Sequence, residues 1–257
     1  MHHAHIDKFA YQDSLVHRLD SRVKFLVVLL FTLVVLSLPR TSPSILTCYA
    51  VGPFAVLVLG RIPLRFVLKQ ISLVSPFILV LAFTCPFYNR LPTHVEFGPF
   101  AWRISIGWLQ CFSILGKFIV TMMALIALVS TTRFSDLLSG LQKLGVPKIL
   151  IIQLGFLYRY IFVLIDRAHQ ILRARAGRKL KNLGFKTEFR TATSMLGSLF
   201  VRSIDTAEHI NTAMHARGFD GNFRTISKLE FHRRDLIFAL VSVIFIFVLY
   251  FLTAKML

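Results

Sequence analysis

Two short arginine motifs carry the most distinctive spacing in the 257-residue sequence. One is Arg173-Ala174-Arg175-Ala176-Gly177-Arg178. The other is Ala213-Met214-His215-Ala216-Arg217-Gly218-Phe219-Asp220-Gly221. Each sets an arginine among small residues at the end of a helix predicted from pattern. A helix C-terminus favours a cation. Small neighbours let a guanidinium enter a cleft, where its planar fork can grip carboxylates or carbonyls. Two uses fit: pegs for a partner protein, or ordinary helix C-caps ended by glycine. A different chemistry is offered by Met1-His2-His3-Ala4-His5. A free amine with a histidine in third place can chelate nickel or copper in square-planar geometry. His2 and His3 are therefore candidate metal ligands, set against a plain terminal tail.

Other chemistries are missing from the sequence. It contains no G-x-x-x-x-G-K-[ST], no H-E-x-x-H and no G-x-S-x-G. Cys48, Cys85 and Cys111 are scattered through apolar stretches without zinc or redox spacing. His209, His215 and His232 with Asp205 and Glu208 are the only local candidates for an interfacial active site, and they read better as the polar faces of a helix and the loop after it. No pair of acidic residues falls within an apolar run, so an intramembrane proton or cation relay lacks ligands. No enzyme activity and no cofactor are expected, and the energy for any transport must come from elsewhere.

The elements that must position these residues are membrane helices. The chain is 55% hydrophobic and 16% charged, with mean hydropathy +0.67, whereas soluble domains carry about 25% charged residues. Apolar runs cover Phe25–Leu38, Ile45–Leu59 (broken by Gly52-Pro53), Ile71–Phe87, Ile104–Ser130 and Leu236–Leu252. Ile149–Ile165 is also apolar, but Gln153, Arg159 and Asp166 make it read as a buried or interfacial helix. Lys117 stands inside the fourth run; it either snorkels to the interface or meets a partner membrane subunit. No cleavable signal peptide is visible in the polar first 22 residues. The predicted fold is an all-α integral membrane protein. It has about five transmembrane helices and two to three cytoplasmic or interfacial coupling helices inserted before the last span. It reads as a single unit: membrane helices over 1–132, coupling helices over 133–234 and the final span over 235–257.

Net charge is +18, which suits anionic lipid or an acidic protein partner; nucleic acid would leave the apolar runs unexplained. Most of the 30 basic residues lie between Arg133 and Arg234. That segment, the N-terminus (Lys8, Arg18, Arg22, Lys24) and the Arg61–Lys69 loop fall on one side; Arg40, Arg90, Arg103 and Lys255 fall on the other. The positive-inside rule puts the N-terminus and the long segment in the cytoplasm.

Periodicity predicts the coupling helices. Ala192, Met195, Leu196, Leu199, Phe200, Ala207, Ile210 and Met214 recur at spacings of three and four. Ser194, Gly197, Ser198, Ala207 and Ala213 would let another helix approach closely. Phe156–Leu183 reads as a second long helix, apolar and then densely basic. Ser135 is the expected N-cap of a short helix running to Leu144, ended by Gly145 and Pro147.

Several of these stretches resemble the transmembrane T-component of energy-coupling-factor importers, in the cobalt/nickel branch (CbiQ/NikQ). Ile6-Asp7-Lys8-Phe9-Ala10-Tyr11 and His17-Arg18-Leu19-Asp20-Ser21-Arg22-Val23-Lys24 are similar to its N-terminal signature. Leu144-Gly145-Val146-Pro147 with Tyr158-Arg159-Tyr160 resembles its middle. Leu196-Gly197-Ser198-Leu199-Phe200-Val201-Arg202-Ser203 and Ala216–Gly221 resemble its coupling region. The resemblance covers nearly the whole chain. It implies a non-catalytic subunit of an ATP-driven importer in the bacterial plasma (inner) membrane. Two P-loop ATPases would dock from the cytoplasm, and a separate membrane S-component would bind the substrate, with room for a small accessory membrane subunit. By the same resemblance, Ala216, Arg217 and Gly218 form one docking motif. Ala174, Arg175 and Ala176 form the other, although alanine replaces the usual glycine or serine after the arginine. Arg173 and Arg178 are alternatives for that peg. The implied cargo is cobalt or nickel; a T-component serving a vitamin and a self-contained permease are the rival readings.

Overall fold

A computed structural model of the chain describes residues 12, 14, 16–39, 43–88, 92–97, 100–178, 184–219 and 232–256. It divides into two compact units, residues 1–140 with 229–257, and residues 141–228.

The first unit is a helical bundle. Its members are α1 (Ser21–Ser37), α2 (Pro43–Leu59), α3 (Leu64–Tyr88), α4 (Ile106–Thr131), most of α5 (Phe134–Lys143) and α8 (Arg233–Met256). Successive spans run antiparallel. α2 and α4 end together, where a Cβ on Gly60 would sit 3.3 Å from the Thr131 methyl. α1 and α8 begin at that same end, where the Asp20 N–H donates to Asp235. Phe31, Val35, Tyr49, Val120, Ala124 and Ile246 form one buried cluster; Leu57, Ile62, Val67, Ile126 and Ala127 form another. The outer surface is apolar as well: Leu73, Phe77 and Phe247 are at least 66% exposed, which suits hydrocarbon rather than water.

α3, α4 and α8 are long and apolar enough to cross a bilayer. α1 and α2 have 17 residues each, about 26 Å, at the lower limit for a span. Gly52-Pro53 interrupts the apolar run but not the helix, in keeping with the reading of this run as one span. α2 continues through Pro53, and a Cβ on Gly52 would lie 3.0 Å from the Phe245 ring of α8. Lys117 reaches the end of α1, donating to the carbonyls of Leu36 (3.2 Å) and Leu38 (2.6 Å). Carbonyls at a helix C-terminus lack an intrahelical N–H partner, and the ammonium takes that place.

An antiparallel hairpin, β1 (Pro92–Phe97) and β2 (Phe100–Ser105), joins α3 to α4. The sequence reading did not anticipate it. Its signal was present: Thr93, Val95, Phe97 and Phe100, Trp102, Ile104 alternate with polar or small positions, and the register pairs each of the first three with one of the second.

The second unit is a helical hairpin of α6 (Lys148–Arg178) and α7 (Phe185–Ala216). Phe156 meets Phe219 edge-on, Arg167 donates to Thr206 and to the Arg202 carbonyl, and Arg175 meets Glu188, so the two helices are antiparallel. α6 fuses the apolar 149–165 stretch and the basic one into a single helix. Its apolar half is not buried within the chain, since Ile151 alone is buried among its residues. It also meets the length and composition of a span.

α5 starts at Phe134, so Ser135 lies inside its first turn instead of capping it. The Arg133 carbonyl takes the first bonds, from the N–H groups of Asp136 and Leu137. At the other end, Val146 N–H donates to Leu141 O and Gly145 N–H to Gln142 O, with Gly145 at φ +98°. This is a Schellman cap, and Pro147 follows it.

Candidate functional site

The same cap ends α7 and displays Arg217. Phe219 N–H donates to Met214 O and Gly218 N–H to His215 O, both at 3.0 Å. Gly218 takes φ +73°, where a side chain would be strained. Arg217 is the C-cap residue, its N–H shared between Ala213 O and Met214 O. Ala216, Arg217 and Gly218 are all exposed. The cap turns the chain back so that Phe219 can pack on Phe156 of α6, leaving the guanidinium outside that contact.

Arg175 is placed differently. Its Nη2 lies 3.4 Å from Glu188 Oε2 in the first turn of α7, and its side chain is 25% exposed. Ala174, Ala176, Arg173 and Arg178 are exposed around it. The two arginine motifs thus stand at opposite ends of α7. From Glu188 to Arg217, at 1.5 Å per residue, they are about 44 Å apart. His2 and His3 lie outside the described residues. Among the described residues, no group of three or more His, Cys, Asp or Glu side chains could hold a metal ion.

A polar clamp at the shared end of the bundle was missed by sequence reasoning. Asp20 caps α1, accepting from Arg22 N–H at 2.9 Å. Its own N–H donates to Asp235 Oδ1 (2.8 Å), and His232 N–H donates to Asp235 Oδ2 (2.8 Å). Asp235 is 2% exposed, so one carboxylate holds the starts of both α1 and α8. Lys24, in the first turn of α1 ahead of the apolar run, donates to Thr131 O (3.0 Å) and His17 O (3.3 Å). Burial pushes its ammonium down to about 8; Asp136, Asp235 and Asp20 oppose that shift. Ser21 Oγ donates to Asp136 O at 2.7 Å, tying α5 to α1. In sequence these residues read only as basic flanks and as parts of a signature, because the pairs that tie the helices together (Asp20–Asp235, Ser21–Asp136 and Lys24–Thr131) lie more than a hundred positions apart.

The family model CbiQ, described as cobalt transport protein, matches residues 12–229. The chain belongs to that family. A relative from Bacillus selenitireducens, the energy-coupling factor transporter transmembrane protein EcfT, is 31% identical over 229 residues, covering 84% of each chain. The EcfT of Brevibacillus brevis is 30% identical over 264 aligned residues, covering 95% of this chain and 96% of its own. The cobalt transport protein CbiQ of Rhodobacter capsulatus is 33% identical over 103 residues, 39% of this chain and 41% of its own. This CbiQ-family chain is thus an energy-coupling-factor T-component and a multi-pass membrane protein, as its motifs lead one to expect. The matched region includes the clamp residues Asp20 and Lys24 and both arginine motifs, and stops before α8.

Proposed function

We propose that this chain is the coupling subunit of an ATP-driven cobalt or nickel importer. Two P-loop ATPases dock on its cytoplasmic face, one at Ala174-Arg175-Ala176 and one at Ala216-Arg217-Gly218. The chain passes their motion to a separate substrate-binding membrane subunit, and a small accessory membrane subunit has room to join. The N-terminus lies in the cytoplasm and the bundle in the plasma membrane.

The observation that supports this reading is the placement of the two arginine motifs at opposite ends of the α6–α7 hairpin, Arg175 in the last turn of α6 beside the first turn of α7 and Arg217 at the end of α7. A separation of about 44 Å suits two neighbouring soluble subunits. A single partner would more readily be met by a compact patch. The clamp adds a firm start for α1 and α8. Large apolar side chains of α7, Leu196 and Phe200 at 66% exposure each and Val201 at 58%, supply surface for a membrane partner, since apolar patches of this kind mark interaction sites.

Co-purification tests the proposal. Tagged wild-type chain expressed with its ATPase subunits brings them down. Arg217→Glu, which reverses an exposed charge and disturbs no packing, lowers their recovery at least about tenfold. Unchanged recovery in that variant, with the chain still monodisperse in detergent, would defeat the proposal.

A further inference from the structure

Two cavities in the bundle unit share a wall. The first, about 320 Å³, is a slot between α2 and α8 with α1 and α4 behind it; Val28, Phe31, Ala55, Ala124 and Phe245 are among its lining residues. Ala55 is exposed, and Val51 beside it is 57% exposed, so the slot opens on the apolar outer face. The second, about 230 Å³, is polar, with Arg18, Ser21, Thr132, Arg133 and Asp136 on its wall. Lys24 and Thr131 line both cavities. An apolar slot and a cationic pocket therefore lie on either side of the Lys24–Thr131 contact, at the shared end of the bundle.

The pocket has the marks of an anion site. Thr132 is 7% exposed, and its hydroxyl is buried without a hydrogen-bond partner. The ten-residue helix α5 begins two positions later, at Phe134, and its N-terminus adds partial positive charge. Arg18 is exposed and also lines a neighbouring cavity with Arg233 and Arg234. Asp136 is the one carboxylate on the pocket wall among the described residues. Asp20 and Asp235, close by, already accept backbone N–H bonds. A small free anion would need the pocket alone, and an apolar molecule the slot alone. An amphiphile with an anionic head uses both.

We propose that the paired cavities hold one anionic phospholipid of the surrounding bilayer. Its phosphate lies among Arg18, Lys24, Arg133 and Thr132, and an acyl chain lies in the slot. The lipid bridges α2 and α8 on the apolar side and meets the starts of α1 and α5 at its head.

Native mass spectrometry of the full chain, delipidated in detergent and titrated with phosphatidylglycerol or with phosphatidylcholine of the same acyl chains, tests this. One phosphatidylglycerol is retained, with a preference of about tenfold, the value of one charge-assisted contact. Arg18→Gln, an exposed change, and Thr132→Val each lower retention about tenfold or less. Ala55→Trp, which fills the mouth of the slot, lowers it as well. Excess inorganic phosphate does not displace the lipid. Two results overturn the proposal. If all three variants retain phosphatidylglycerol as the wild type does, the lipid is merely annular, or the slot is kept for a partner's helix. If inorganic phosphate displaces it and Ala55→Trp has no effect, the pocket takes a free phosphate.

Discussion

Asp20 N–H donates to Asp235 Oδ1 at 2.8 Å, across 215 positions of sequence. The bond joins the N-cap of α1 to the first turn of α8, and the other Asp235 oxygen satisfies His232 N–H. A buried carboxylate with two backbone donors is worth more than the sum of neutral bonds. Removing it orphans both donors. Asp235→Ala therefore lowers stability by about 3 kcal/mol, and Asp235→Asn, which keeps one acceptor, by less. Thermal unfolding of the purified chain in detergent measures both. Equal midpoints for wild type and Asp235→Ala would show that the clamp does not hold the bundle.

Lys24 gives the bundle a particular pH response. Its ammonium titrates near 8 in the fold against the usual 10.5. Between those values the unfolded chain binds more protons, so stability rises with pH through that window and the cost of burying the charge is fully present below 8. His17, Asp20, Asp136 and Asp235 surround the group. Lys24→Met removes this rise, while the contribution of other titrating groups stays. Parallel slopes for the two proteins between pH 8 and 10 contradict the assignment.

Arg175 has two duties that a charge swap separates. Its contact with Glu188 is partly exposed, with side chains at 25% and 34%, and is worth at most about 1 kcal/mol. Arg175→Glu weakens the α6–α7 contact and, on the docking reading, ATPase recovery too. Adding Glu188→Arg restores the contact but leaves recovery low. Full recovery in the double variant would reduce Arg175 to a helix tie and move the first peg to Arg173 or Arg178.

Gly140 is required by close approach. A Cβ there would lie 2.7 Å from Ser21 Oγ and 3.4 Å from Arg22 N. Gly140→Ala should destabilise by roughly 1–2 kcal/mol despite alanine's better helix propensity. In the background of Ser21→Ala, which removes the offending oxygen, it costs clearly less. Additive losses in that double-mutant cycle would mean that α5 is not seated on α1.

Much of this was legible in the sequence for physical reasons. Spans are read from local apolar runs, and hydrocarbon leaves few alternatives to a helix. The stops of α5 and α7 were written in Gly145-Val146-Pro147 and Gly218, since left-handed caps favour glycine. The start of α5 was misjudged because serine is only one way to begin a helix; here the Arg133 carbonyl and the Ser21–Asp136 contact fix it. The hairpin escaped notice because six-residue strands are weak signals between long apolar runs. The Asp20–Lys24–Asp235 clamp could not be read from any window, because its members meet only when the first and last spans lie side by side. Arg217 stood out for its glycine; the Glu188 neighbour of Arg175 lay in the next helix and gave no local sign.

α7 is continuous over 32 residues, and its span of about 48 Å contains no proline. Such an element neither telescopes nor folds in the middle, so a tilt imposed at its first turn reappears at its last. On the docking proposal, one engine would grip Arg217 at its last turn and the other Arg175, tied to its first turn through Glu188, so the two could not fire independently. Each would feel the stroke of the other through the shaft between them, and their cycles would be synchronised by stiffness alone.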